Sequence, residues 1–289
     1  MNSEPAIQLG DLHRSFGRTD AVNGLDLAVA KGRCCGLFGR NGAGKTTAIK
    51  CLLNLLRPKS GRVSVFGMDP RTNEVAVKSR LTYVPDNVGF HSWMRVRDVL
   101  ESAASFRRQW NRDIDQKAAA LSKGQKMQLA LISAVCPEPD LLVLGEPTTG
   151  LDPIARRESM ESVIGASQDA APGERTILVS THLITEFEGL IDEFTILEAG
   201  RNILTMEAAA ARERFVKARA RFDKEPPDFQ RSGIQQQRRR AREIELILNG
   251  QRDEILAELR NLNPVEVSEE SLSLEEIFLA ARHLEGAQS

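Results

Sequence analysis

Gly39-Arg40-Asn41-Gly42-Ala43-Gly44-Lys45-Thr46 separates an apolar run, Cys34 to Phe38, from a helix-like run, Thr47 to Leu56. A strand, a glycine-rich turn and a helix, with Lys and Thr closing the turn, make the G-x-x-x-x-G-K-[ST] pattern of a triphosphate-binding loop. Glycines allow successive backbone N–H groups to point inward at phosphate oxygens. Lys45 is placed to reach the β and γ phosphates and the Thr46 hydroxyl to ligate Mg²⁺, while the helix opening at Lys45 adds the positive end of its dipole. Gly39, Arg40, Asn41, Gly42, Ala43, Gly44, Lys45, Thr46 and Thr47 are therefore the expected phosphate contacts. The completeness of the pattern in its strand-loop-helix setting disfavours the alternative, a turn with no ligand.

Outward from this loop, strand-like runs alternate with helix-like ones: Arg33 to Phe38, Leu81 to Val84, Leu141 to Leu144, Thr176 to Ser180 and Phe194 to Leu197. Several are almost wholly apolar, as strands covered on both faces are. The alternation predicts an α/β fold with a mixed, mostly parallel sheet whose ligand site lies at the carboxyl ends of its strands. Ile7 to Phe16, Val22 to Val29 and Gly61 to Gly67 carry short alternating patterns, which predict a small antiparallel sheet near the N-terminus. Met94, Val96, Val99, Leu100, Ala103 and Phe106 share one helical face, so a helical subdomain is expected as an insert over about 86–135. After Gly200 the composition shifts to Ala, Arg, Glu and Gln, and Pro226-Pro227 and Ser232-Gly233 interrupt a polar stretch. The expected division is a nucleotide-binding domain over 1–205 and a small α+β accessory domain over 206–289.

Composition narrows the partners. A formal net charge of −1 argues against nucleic acid, whose binders carry a basic excess. Arg212 to Arg242 is mostly basic and Glu243 to Glu285 mostly acidic, which predicts helix faces pairing with each other. No leader pattern and no apolar run of bilayer length is present, so the chain is expected in the cytoplasm, reaching a membrane only through a partner. Cys34, Cys35, Cys51 and Cys136 lack metal or redox spacing and read as reduced core residues.

Four further segments carry chemistry. Leu121-Ser122-Lys123-Gly124-Gln125 opens a helical run from Met127; read alone Ser122 is an N-cap, and with the exposed N–H groups it is also an anion site. The strand Leu141 to Leu144 leads through Gly145 to Glu146, a carboxylate at the sheet edge, placed to polarise a water for attack on a γ-phosphate. Thr149-Gly150-Leu151-Asp152-Pro153 turns into the next helix, and Ser180-Thr181-His182 ends another strand at the same edge. His182 is thereby placed to touch the γ-phosphate and the attacking water.

The order of these motifs over roughly residues 5 to 205 resembles the ATP-binding subunit of an ABC transporter, a P-loop NTPase. The resemblance implies that Ser122, Gly124 and Gln125 belong to a signature motif contacting the ATP held by a second subunit, either an identical chain or a close paralogue. It also implies that Asp152 crosses that dimer interface, that Phe16 stacks on adenine, that His182 is a switch histidine, and that a separately encoded membrane permease is the further partner. Leu272 to Leu279, with Gly89 to Met94, is similar to bacterial exporters of the ABC-2 type.

Two positions depart from the family's pattern. Gly145 stands where most members have an aspartate near the Mg²⁺, and Asp86 stands where most have a glutamine. Either Asp86 supplies the charge that Gly145 lacks, or it only turns its loop and Gly145 marks a weakened ATPase. Lys123 replaces the second residue of the signature, a glycine in most members, and is expected in solvent.

Overall fold

The computed structural model describes residues 4–101, 115–168 and 175–286; Ala103, Phe106 and Trp110, expected in the helical insert, lie outside them. The chain divides into two compact units, Met1–Asn202 and Ile203–Ser289, shortly before the boundary expected after residue 205.

The first unit is built on two sheets. β1 (Ile7–Phe16), β2 (Thr19–Val29) and β4 (Ser60–Val65) form the antiparallel one, in the order β2-β1-β4. The larger sheet has the order β5-β6-β7-β3-β8-β9. Its strands are β3 (Cys34–Phe38), β5 (Leu81–Val84), β6 (Leu141–Gly145), β7 (Thr176–Thr181), β8 (Glu193–Glu198) and β9 (Arg201–Glu207), the last running from the first unit into the second. β3, β6 and β7 are buried along their whole length, which explains their unbroken apolar reading. Pairing from β5 through β6, β7 and β3 to β8 is parallel throughout. The P-loop NTPase fold and its small antiparallel sheet are thus present.

Register decides what meets at the sheet edge. Phe38 pairs with Thr181 and Gly145 with Ser180, so β3, β6 and β7 end at one level. Val84 pairs with Leu144, which brings the residues after β5 beside those after β6.

Helices follow the strand ends. α1 (Lys45–Leu52) buries Lys45, Ala48, Ile49, Cys51 and Leu52 on one face. It stops at Leu52, short of the predicted Leu56, because Asn54 turns left-handed (φ 56°) and the Leu55 and Leu56 N–H groups both fold back onto the Lys50 carbonyl. α2 (Glu74–Lys78) and α3 (Val96–Leu100) are short. α3 packs Val96 and Leu100 with Leu121, Leu129 and Ile132 in a separate apolar cluster to which Phe90 adds its ring. Trp93 is not in that cluster. It is 70% exposed and stacks on His91 with ring centroids 5.8 Å apart. α4 (Lys123–Val135) lies against α5 (Pro153–Gln168).

The second unit holds an antiparallel sheet, β11-β12-β10-β13, made of β10 (Phe215–Arg221), β11 (Ile234–Arg240), β12 (Glu243–Asn249) and β13 (Glu266–Ser271). α6 (Ala208–Arg214), α7 (Arg252–Asn261) and α8 (Leu274–Gly286) complete it. Ala218, Ala220, Ile244, Leu246 and Leu248 form a core with Ile255, Leu256 and Leu259 of α7. The basic and acidic segments do pair, but across strands and not between helix faces: Arg219 bonds Glu245 at 2.9 Å and Arg221 meets Glu266 at 3.2 Å. The reason is that these residues stand on β10, β12 and β13, where directly opposed residues share a face.

The contact of α4 with α5 depends on Gly124, because a Cβ there would lie 2.5 Å from the Cβ of Ala155. Gly124→Ala is expected to destabilise the protein by about 1–3 kcal/mol through overpacking. Adding Ala155→Gly is expected to recover much of the loss, as read from urea unfolding midpoints; equal midpoints for wild type and Gly124→Ala would refute the close contact.

Candidate nucleotide site

Three loops leave the aligned strand ends. The glycine loop follows β3, Glu146 follows β6 and His182 follows β7. The Glu146 N–H donates to the Ser180 carbonyl at 2.7 Å, extending the ladder one residue beyond the strands. Glu146 itself has φ 47°, a left-handed conformation that costs a residue with a Cβ about 1 kcal/mol or more. That local strain turns its carboxylate towards the glycine loop.

There the carboxylate is surrounded by donors. Lys45 Nζ lies 3.2 Å from Glu146 Oε1 and donates to the carbonyls of Gly39 at 2.6 Å and Arg40 at 3.2 Å. Glu146 Oε2 is 2.7 Å from His182 Nδ1 and accepts from the His182 N–H at 3.3 Å, Thr181 Oγ1 at 3.3 Å and Thr149 Oγ1 at 3.1 Å. An ionised carboxylate only accepts, so Nδ1 carries the hydrogen in the short bond. Burial raises the Glu146 pKa, but the Lys45 charge and the His182 hydrogen bond outweigh it and hold the carboxyl below its ordinary value. The carboxylate and the lysine are both buried, so this is a desolvated charge pair. Lys45 thus already grips one anionic group.

Beside the pair is a cavity of about 380 Å³, bordered by Phe16, Ala21, Arg40 to Thr47, Asp86 and Glu146. Phe16 is 47% exposed there. The loop's shape requires Gly44, whose φ is 105° and whose missing Cβ would stand 2.3 Å from the Ala21 carbonyl oxygen. Thr46, Asp86 and Glu146 give this cavity the hard oxygen donors that Mg²⁺ takes. Among the described residues no three His, Cys, Asp or Glu side chains form a metal cluster. That donor set suits an ion that keeps several waters and takes its remaining ligands from phosphate.

Gly145 lies in a crowded place. A Cβ there would be 3.2 Å from the Asp86 N–H nitrogen, 3.4 Å from the Val84 carbonyl and 3.5 Å from the Tyr83 hydroxyl. An aspartate at 145 therefore needs the end of β5 to give by a few tenths of an ångström. Asp86 borders the same cavity as Glu146, and its charge adds to burial in raising the Tyr83 pKa.

Other predicted residues lie outside the cavity's lining. His182 bonds Glu146 through Nδ1, and Gly39 meets Lys45 through its carbonyl. Ser122 caps α4 in a reciprocal pair: its Oγ accepts from the Gln125 N–H at 3.2 Å, and Gln125 Oε1 accepts from the Ser122 N–H at 2.9 Å. Gly124 packs on Ala155, as described above. Asp152 Oδ1 accepts from the Ile154 and Ala155 N–H groups at 3.0 Å each. Lys123 is exposed, yet its ammonium rests over Gly150, 2.6 Å from where a Cβ would be. Thr149 and Thr181 were not singled out as functional, since a hydroxyl beside a motif has no pattern of its own. The signal available is position alone: Thr149 is three residues after Glu146, and Thr181 directly precedes His182.

The four cysteines are free. Burial pushes their thiols up, that of Cys34 to about 12 with Asp192 adding to the effect, which removes them from thiolate chemistry.

The fold and this edge define a P-loop nucleotide-binding protein. The model of the ABC transporter family matches residues 22–149. The chain is similar to the Nod factor export ATP-binding protein I of Rhizobium meliloti strain 1021, with 34% identity over 219 residues covering 68% of this chain and 63% of that protein. It is also similar to the bacitracin transport ATP-binding protein BcrA of Enterococcus faecalis, with 32% identity over 214 residues, 69% of this chain and 68% of that one. A solved ATP-binding subunit of an ABC transporter superposes with a TM-score of 0.63 at 25% identity, over 72% of this chain and 92% of its own. The chain belongs to the ABC transporter ATP-binding family.

The lowered Glu146 pKa fixes the sign of a pH effect. Stability from a carboxylate depressed on folding is fully present above its unfolded value, about 4.3 for Glu, and is lost as pH falls through the lower folded value. The thermal stability advantage of wild type over Glu146→Gln is therefore expected to be full near neutrality and to shrink below about pH 4. A difference in melting temperature that stays constant from pH 7 to pH 3 would contradict this.

Proposed function

We propose that this chain binds and hydrolyses Mg²⁺-ATP to drive an ABC exporter of the ABC-2 type. The observation that carries the reading is the cavity framed by the glycine loop, Phe16, Asp86 and Glu146, with Lys45 and His182 both bonded to the same carboxylate. The loop amides from Arg40 to Thr47 and Lys45 bind the triphosphate, and Phe16 meets the adenine. Thr46 and Asp86 hold the Mg²⁺, which when bound neutralises charge on the β and γ phosphates. Lys45 exchanges its contact with Glu146 for phosphate oxygens, which frees the carboxylate to orient and deprotonate water. His182 steadies Glu146 through Nδ1 and faces the γ-phosphate side of the site.

The dimer and the permease belong to the same proposal. Ser122, Gly124 and Gln125 close the site of a second subunit, a like chain or a close paralogue, and Asp152 lies at their interface. ATP joins the two subunits and hydrolysis releases them. A membrane permease takes up that motion near Phe90 and Trp93, so the chain sits peripherally on the inner face of the membrane, in the cytoplasm. Its exposed Trp93 suits such a contact, and no described helix is long and apolar enough to cross a membrane. Nucleic acid is not a partner on this reading. On this reading the ATP-binding domain spans 1–205 and the accessory domain 206–289.

Gly145 favours a second reading, an ATP-binding switch with weak or absent hydrolysis. Phosphate release by purified protein separates the two. Lys45→Ala is expected to abolish ATP binding, and Glu146→Gln to keep binding while losing about a hundredfold or more in turnover. Wild-type turnover no faster than Glu146→Gln would establish the switch. Asp86→Ala is expected to remove the gain in ATP affinity that Mg²⁺ brings, measured by calorimetry with and without the ion, and Gly145→Asp to restore part of it. An unchanged Mg²⁺ dependence in Asp86→Ala would exclude Asp86 from the metal site.

A further inference from the structure

We propose that Arg14 is a positioning residue for the nucleobase: its guanidinium backs one face of the Phe16 ring and holds the ring against the cavity, leaving the other face for a purine to stack on. The proposal rests on the nucleotide reading above and adds to it a residue that no motif contains.

The starting point is a defect in β1. Its pairing with β2 slips between Leu9 and Leu12, and Asp11 at the slip has φ 48°. Before the slip the buried residues are Ile7 and Leu9; after it Leu12 is buried, so the inward parity changes from odd to even. Arg14 and Phe16 follow two and four residues after Leu12, where the pairing with β2 slips twice more, between Leu12 and His13 and between Arg14 and Ser15. The slip at Asp11 is accommodated by Gly61 of β4 (φ 95°), where a Cβ would lie 2.3 Å from the Asp11 carbonyl oxygen.

Arg14 then spans two parts of the site. Its Cζ stands 4.8 Å from the Phe16 ring centroid, and Nη1 donates at 3.0 Å to the carbonyl of Arg57, just beyond α1. Its charge is close enough to Cys51 of α1 to oppose the effect of burial on that thiol. Its Nε is buried with no hydrogen-bond partner among the described residues, so the ring face and the Arg57 carbonyl are the interactions among them that hold the guanidinium in place. A Phe at a cavity mouth, 47% exposed, has rotamer freedom to lose when a base arrives. A cation fixed behind it by the Arg57 carbonyl, in the segment after the helix that follows the phosphate loop, removes that freedom in advance and sets the ring at a constant height above the phosphates.

Calorimetric titration of the full-length chain with Mg²⁺-ATP and with Mg²⁺-tripolyphosphate, which has the phosphates and no base, tests this. Arg14→Met is expected to weaken ATP about three- to tenfold, the range of a partly desolvated cation–π contact, and to leave tripolyphosphate within about twofold. Arg14→Lys is expected to restore part of the loss. In a Phe16→Ala background, Arg14→Met is expected to have no further effect. Equal losses for both ligands would show that Arg14 only braces the fold, and loss in the Phe16→Ala background as large as in wild type would show that it does not act through the ring; either overturns the proposal. Arg14→Gln, checked for an unchanged melting temperature, guards against a Met-specific folding defect. Wild type that binds tripolyphosphate as well as ATP, or neither, would instead overturn the nucleotide reading and this proposal with it.

Discussion

The Glu146 N–H bonded to the Ser180 carbonyl carries the parallel ladder one residue past the strands, and the arrangement of the site follows from that bond. It fixes Glu146 in a left-handed turn, from which its carboxylate reaches Lys45 on one side and His182 on the other. Because β3, β6 and β7 end at the same level, the three loops that carry these residues have no other place to meet. Parallel pairing supplies this geometry, since it sends every strand's carboxyl end to one edge.

A second consequence concerns charge. Lys45 is buried, and a buried ammonium without an anion is costly. In this structure Glu146 supplies that anion, which keeps the glycine loop shaped while its lysine faces the cavity. A phosphate brings the same type of partner with more oxygen atoms, so one anion can replace another at the lysine without leaving it bare. In this structure the carboxylate is also held by Thr149, Thr181 and His182, bonds that do not involve the lysine.

Much of this was legible from residue types and spacing. The glycine loop declared its ligand because few other uses need three glycines, a lysine and a threonine in that order. The buried strands were legible because two covered faces demand unbroken apolar runs. Trp93 was not: an aromatic residue at helical spacing reads equally as core or surface, and only the structure shows it stacked on His91 in the open. The basic and acidic halves of the accessory unit were read as helix faces because charge runs carry no period that separates a strand from a helix; cross-strand register reveals the true pairs.

The sequence by itself determined the phosphate loop, the α/β class, the family's motif order and the presence of Glu146, His182 and Asp86 near strand ends, since each depends on local pattern and on chemistry tied to residue type. Tertiary structure decided which oxygen meets which nitrogen. The Lys45 contact with Glu146 and the crowding that surrounds Gly145 beside Asp86 arise between segments far apart in the chain, and the Arg14 guanidinium over the nearby Phe16 ring is held from Arg57. The pairing of β1 with β2, which slips three times between Leu9 and Ser15, is likewise a tertiary matter, because strand side chains alternate with a period of two and register decides which face each takes.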